Sequence, residues 1–246
     1  MDPKVDLVYT WVDGNDPVWQ KERNKFFLIN KRDFHKSRFR DNNELKYSLR
    51  SVSKFASFIN NIFIVTHKQK PSFLNLSHPK IHIIDHSQIL PSEAIPNYNS
   101  IAIEMCIDNI PNLQEKYIYF NDDFFFGNYV KSSDFFEGAQ PIITMKKHHF
   151  KYKNYYDNLQ LLHTPTPFLK SFVKEIKQEY EEAVQKTICC QIRGSGEQFH
   201  REMFNKIAVK RNKVKLMLQS RFPTHLWFRF KRLFALLHTH THTHTH

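Results

Sequence analysis

Asn121-Asp122-Asp123 is a triplet whose residue types could do chemistry. It follows residues 117–120, a short aromatic and β-branched run that predicts a buried strand. Three phenylalanines and Gly127 come directly after it. Two adjacent carboxylates between apolar runs are costly to bury unless a positive partner sits on them. At the carboxyl end of a strand in an open α/β sheet, that partner is commonly a ligand or a metal. Mg²⁺ suits the pair, because it takes one or two carboxylates and completes its shell with water and phosphate oxygens. A solvated acidic turn closing the strand is the competing reading, and the rest of the chain tips the balance toward a metal.

Charge and glycine content narrow the chemistry. The net charge of +12 over 246 residues points to an anionic partner: nucleic acid, phospholipid or a phosphorylated substrate. There are only five glycines, Gly14, Gly127, Gly138, Gly194 and Gly196, and they form neither a Walker loop nor a dinucleotide fingerprint. Phosphates would therefore be held by a metal and by Arg or Lys side chains rather than by a glycine-rich backbone cradle. Arg38 and Arg40 close a basic stretch just before a helix and are the first such candidates. His148 and His149 are adjacent on an expected strand, face opposite ways, and make a poor metal pair.

The elements that must position these groups alternate. Residues 5–10 predict a strand, followed by the turn Trp11-Val12-Asp13-Gly14-Asn15, where Asp13 is on its own a turn former. Asp16 caps a helix with Pro17 at its first position. Asp41 and Glu44 resemble a capping box, and Leu45, Leu49, Val52 and Ala56 follow at helical spacing to about Ser57. Strands over 62–66 and 81–84 come next. Asn99 or Ser100 then caps a helix with Ile103, Cys106, Ile107 and Ile110 on one stripe. Further on, 141–145 predicts a strand and 168–185 one helix, with Phe168, Phe172, Ile176 and Tyr180 in register. The turn at 193–197 opens another helix near Phe199. Strands alternating with helices over short connections predict an α/β fold, with a mostly parallel sheet and helices on both faces. The Asp13 and Asp122-Asp123 turns would then share one sheet edge and one ligand.

The expected organisation is one domain over 1–220, a basic amphipathic tail over 221–237 and a His-Thr repeat over 238–246 that reads as an appended tag. In the tail, Leu226, Phe230, Leu233 and Leu237 would line one helical stripe, suited either to an anionic membrane or to the protein's own core. No apolar run is long enough to span a bilayer, no signal peptide precedes the first strand, and three unspaced cysteines suit a reducing compartment. These features fit a cytoplasmic protein, peripheral on a membrane where its tail binds. A non-catalytic basic protein binding nucleic acid or membrane is an alternative class, although no specific nucleic-acid module is recognisable.

Read together, the motifs resemble the Stealth family of hexose-1-phosphate transferases. Val8-Tyr9-Thr10-Trp11-Val12-Asp13-Gly14-Asn15-Asp16-Pro17 resembles its first conserved region. Arg38-Phe39-Arg40-Asp41-Asn42-Asn43-Glu44-Leu45 resembles the start of its second, which continues through Asn60-Asn61-Ile62, Asn99-Ser100, Ile103-Glu104 and Asn121-Asp122-Asp123. A looser third region is carried by His163, Pro165, Lys170-Ser171, Glu175-Ile176, Arg193 and Glu197. A fourth is not found, unless Arg221-Phe222-Pro223 is its remnant.

The resemblance implies a GT-A-like nucleotide-sugar fold with a helical C-terminal part. It also implies a divalent metal, Mg²⁺ or Mn²⁺, and transfer of sugar-1-phosphate from a nucleotide sugar to a polysaccharide acceptor. By position, Asp122 and Asp123 would hold the metal, and Asp13 and Gly14 would line the nucleotide pocket. Arg38, Arg40 and Asn43 would lie along the phosphates. His163 and Arg193 would act with Asp123 at the reacting phosphorus, and Glu197 would stand nearby. An ordinary glycosyltransferase on the same scaffold, releasing nucleoside diphosphate, is the second enzymatic reading.

Overall fold

The computed structural model describes residues 4–32, 39, 41–147 and 155–219. Its centre is a five-stranded sheet in the order β3-β2-β1-β4-β8. The strands are β1 (Val5–Thr10), β2 (Ile59–Thr66), β3 (Ile81–Asp85), β4 (Lys116–Asn121) and β8 (Thr166–Leu169). The first four run parallel, and β8 pairs antiparallel along the free edge of β4. This is the mostly parallel α/β sheet that alternating strands and helices predict. Strand order reverses between β1 and β4, whose ends lie level, with Thr10 opposite Asn121.

Period-two alternation divides the core between the two faces. Leu7, Tyr9, Ile118 and Phe120 pack with Leu45 and Val52 of α2 (Glu44–Phe55) and with Phe124, Phe126 and Phe135. On the other face, Val8, Tyr117 and Tyr119 meet Ile103 of α3 (Ser100–Glu104) and Cys106, Ile107 and Ile110 beyond it. Ile176 of α4 (Lys170–Glu179), Val184 of α5 (Glu181–Ile188) and Phe204 of α6 (Arg201–Lys210) cover the same side. The triple phenylalanine after Asp123 is thus a packing element: Phe120 contacts both Phe124 and Phe126 edge-on or tilted.

Three expectations need correction. The single helix over 168–185 is three elements, because Phe168 lies in β8, stacked on Tyr117, and Tyr180 breaks the helical path with φ −109° and ψ 33°. Asp41 does not cap α2; Asn43 does, at φ 65°, while Asp41 Oδ1 accepts from the Asn43 amide at 2.7 Å. The stripe at 103–110 is buried as expected, yet α3 ends at Glu104 and a 3₁₀ turn over Ile107–Asn109 finishes it. A second sheet was not foreseen. It pairs β5 (Phe136–Glu137) and β7 (Leu159–Leu161) antiparallel with β6 (Gln140–Lys147), and β9 (Lys215–Leu218) parallel with β6. The tail over 221–237 and His148-His149 lie outside the described residues.

Candidate active site

The carboxyl ends of all four parallel strands open into one cavity of about 260 Å³, the position at which open α/β sheets bind ligands. Trp11 lines it beyond β1, His67 beyond β2, His86 beyond β3 and Asp122 beyond β4. Arg193, from the turn after α5, also lines it.

Asp122 is the electrostatic centre of this edge. Burial, then the neighbouring carboxylates of Asp123, Glu44 and Asp41, push its pKa up to about 7. The Asn121 side-chain oxygen beside it is buried without a partner among the described residues. Asp123 is more exposed, and its Oδ2 lies 3.2 Å from Nε2 of His163, whose ring packs edge-on against Phe124 at 4.7 Å. His163 and Asp123, forty residues apart, are therefore brought together as the motifs imply.

This donor set fits a hard divalent cation. Among the described residues, this buried carboxylate is crowded by three others with no cation named against it, and the donors are oxygens. Among the described residues no three His, Cys, Asp or Glu side chains form a cage. An incomplete all-oxygen set is what Mg²⁺ or Mn²⁺ accepts when water and phosphate supply the rest.

The remaining candidates divide. Asp13 and Gly14 are not on the cavity wall, which on β1's side is formed by Thr10, Trp11 and Val12. Asp13 Oδ1 accepts from the Asn15 amide at 2.8 Å, and Asp16 caps α1 (Pro17–Ile29) through the Val18 and Trp19 amides. Gly14 packs so tightly on the Phe39 carbonyl that a β-carbon would overlap it. Both residues thus shape the turn. Asn43 sits at the start of α2, beside the two carboxylates that face Asp122. Glu197 accepts from the Gly194 amide at 2.8 Å and from Asn99 Nδ2 at 2.7 Å, so it ties the turn carrying Arg193 to the start of α3. Arg38 and Arg40 lie outside the described residues.

Sequence reasoning missed several residues here. Gln69 is buried and braces the β1 turn three ways, donating to the Asp13 carbonyl and Asp16 Oδ2 and accepting from the Asp13 amide. Thr10 Oγ1, Tyr119 OH and Glu104 Oε1 form a chain of 2.8 and 3.1 Å contacts. Arg201 closes it, 3.5 Å from Glu104 Oε2 and 4.5 Å over the Tyr119 ring. Burial raises the Glu104 carboxyl above the usual range, against the pull of Arg201. His86 carried a usable signal, since it follows a strand end just as the Asp13 and Asp122 turns do. Gln69 and Arg201 carried none.

The family's conserved region 1 (Stealth protein CR1) matches residues 3–26, and conserved region 2 (Stealth protein CR2) matches 38–143. The two ranges take in the β1 turn, α2 and the Asp122-Asp123 edge. This chain belongs to the Stealth family. A capsular polysaccharide phosphotransferase of Actinobacillus suis is 33% identical to this Stealth chain over 211 residues, covering 73% of it and 57% of the relative. The exopolysaccharide phosphotransferase cps2G of Lactiplantibacillus plantarum is 41% identical over 132 residues, 54% of this chain and 39% of that one. The capsular polysaccharide phosphotransferase eps5J of Streptococcus thermophilus is 39% identical over 141 residues, 56% and 59% respectively. The Stealth chain thus spans two fifths to three fifths of the length of these relatives. His163, Arg193 and Glu197 lie beyond both matched regions.

Proposed function

We propose that this chain transfers sugar-1-phosphate from a nucleotide sugar to a glycan hydroxyl in capsule or cell-surface polysaccharide synthesis. A UDP-linked hexose or N-acetylhexosamine is the donor. The observation that carries this reading is the His163–Asp123 contact at the β1/β4 switch point, beside a cavity shared by Asp122 and Arg193. The relatives' names, phosphotransferases of capsular and extracellular polysaccharide, support it.

In the proposed reaction the acceptor oxygen attacks the phosphorus bonded to the sugar oxygen, and the diphosphate bridge breaks. The products are a phosphodiester and nucleoside monophosphate. With its Nε2 hydrogen directed at Asp123 Oδ2, His163 keeps Nδ1 free to take the acceptor proton. Arg193 sets a permanent positive charge against the transferred phosphoryl group. Glu197 holds the Arg193 turn in place through the Gly194 amide. Asp122 and Asp123 would hold the divalent cation, which supplies charge neutralisation at the phosphates. The reaction is placed at the cytoplasmic face of the membrane, with 221–237 as the contact segment.

The leaving group tests the proposal. Incubation with nucleotide sugars, Mg²⁺ and capsule-like primers is expected to release nucleoside monophosphate and to place one phosphodiester per transferred sugar in the product, visible by ³¹P NMR. Acceptor-dependent release of nucleoside diphosphate, with no phosphorus in the product, would make the protein a glycosyltransferase instead.

A further inference from the structure

The outward face of α1 differs in chemistry from the face it turns to the cavity. Trp19 and Phe27 are buried and line the cavity wall, whereas Val18, Leu28 and Ile29 are 68%, 79% and 67% exposed. Among the described residues these are three of the four most exposed large apolar side chains. Helical spacing sets Val18, Lys21, Lys25, Leu28 and Ile29 on one stripe, roughly 17 Å long. The chain then doubles back. Lys31 takes a left-handed turn at φ 51°, and the Lys31 and Arg32 amides donate to the carbonyls of Leu28 and Phe27 at 3.1 and 3.0 Å. Lys21, Lys25, Lys31 and Arg32 are all exposed, and none makes an ion pair among the described residues. Glu22, the one acid on the helix, is taken up by Lys68 at 3.8 Å and approaches His67 at 3.4 Å.

We propose that this stripe of α1, with Lys31 and Arg32 at its end, is a docking surface for an anionic membrane. The surface depends neither on the sugar-phosphate reaction nor on residues 221–237. Attraction to the helix dipole accounts for Lys31 and Arg32 at the carboxyl end, but not for Lys21 and Lys25 or for aliphatic side chains left in water. A bilayer interface answers both. The aliphatic tips enter the boundary of the acyl chains, while the lysine stems lie along it and keep their ammonium groups among anionic headgroups. A second copy of this chain would bring a net charge of +12 against the same cations. An acidic protein would match the charge, but protein interfaces favour aromatic anchors and are depleted in lysine. This stripe has two lysines and no aromatic ring. Because Trp19 and Phe27 on the inner side of α1 line the cavity, docking seats the cavity wall about 10 Å, one helix diameter, from the headgroups.

Flotation of the full chain with vesicles of phosphatidylcholine, with and without phosphatidylglycerol, tests this. Wild type is expected to bind the anionic vesicles, and the neutral ones at least about tenfold more weakly. Lys21→Gln/Lys25→Gln and Leu28→Gln/Ile29→Gln should each weaken binding to anionic vesicles about tenfold or more, the first through charge and the second through lost apolar burial. Lys174→Gln/Lys210→Gln removes the same charge from α4 and α6, and should stay within about twofold of wild type in physiological salt. All these side chains are exposed, so the three variants should melt with wild type. Should the apolar double variant fail to fold, Lys25→Glu alone should still weaken binding at least about tenfold. The proposal is overturned if wild type ignores anionic vesicles, or if the α1 variants bind them as well as the α4–α6 control does. It is also overturned if the α1 variants turn a dimer into a monomer in sedimentation velocity with vesicle binding unchanged, the mark of a self-interface. Vesicle binding that needs both α1 pairs, in a protein transferring no sugar phosphate, would uphold this surface and sink only the reaction above.

Discussion

At the residue scale, Asp122 is expected to trade stability for function. Its carboxyl in the folded state holds a proton up to about pH 7, whereas an unfolded aspartate releases it near 3.8. Folded protein therefore binds more protons between these values, and stability falls as pH rises through that window. At 1.36 kcal/mol per unit the cost approaches about 4 kcal/mol above pH 7, on the order-of-magnitude reading such shifts allow. Asp122→Asn, measured in EDTA, should therefore melt above wild type at pH 8 and lose the advantage near pH 4. The same variant should lower turnover by about 10² or more, as expected when a major electrostatic stabiliser is lost. A variant that is inactive yet less stable at pH 8 would contradict this account. His163→Gln should lower kcat with little change in KM, since it removes the proposed proton acceptor while leaving the cavity wall intact.

At the element scale, the parts legible in the sequence were those whose neighbours are local. β1 and α1 follow from apolar content and capping, and the 103–110 stripe is buried as its spacing requires although its helix stops at Glu104. The failures share a cause, which is a partner distant in sequence. Phe168 fits a helical stripe equally well, but the open edge of β4 recruits residues 166–169 as an antiparallel strand. β6 and β9 lie some seventy residues apart and pair in parallel, which no local pattern announces. At the site, the Asp122-Asp123 turn stands out by residue type and His163 only through the family resemblance, while the contacts of Gln69 and Arg201 arise only through the fold. Asp6 belongs to the second group. Within β1 it is fully buried, and accepts from Asn60 Nδ2, the Asn61 amide and the Gln114 amide at 2.8–3.0 Å. It thereby ties β2 and the approach to β4 onto β1. Asp6→Ala strands buried donors and should cost about 3 kcal/mol or more in urea unfolding. A loss within experimental error would mean that water replaces the carboxylate.

At the scale of the whole molecule, the cavity edge of the sheet leaves a mark on stability against pH. His86 opposes Asp122. Burial, reinforced by His67, lowers its folded-state value to about 3, from an ordinary 6.5. The unfolded chain then binds the extra proton below pH 6.5, so this histidine makes the protein lose stability as pH falls from 6.5 toward 3. By pH 5 the loss amounts to about 2 kcal/mol, again at 1.36 kcal/mol per unit. Over the same interval Asp122 adds stability as it gains its proton, and the two contributions largely cancel. Wild type in EDTA should therefore show a shallow dependence between pH 5 and 7. Each variant should unmask the other group. Asp122→Asn should lose stability steeply as the solution is acidified, with His86 no longer balanced. His86→Asn should instead gain stability toward pH 5, because only the carboxylate remains to titrate. Urea unfolding at pH 5, 6, 7 and 8 gives the slopes directly. If the two variants keep the wild-type slope, neither group titrates as its burial requires, and the cavity is wetter than its packing indicates. Slopes of opposite sign would tie the pH behaviour of the entire chain to two side chains at the carboxyl ends of β3 and β4, the edge onto which the cavity opens.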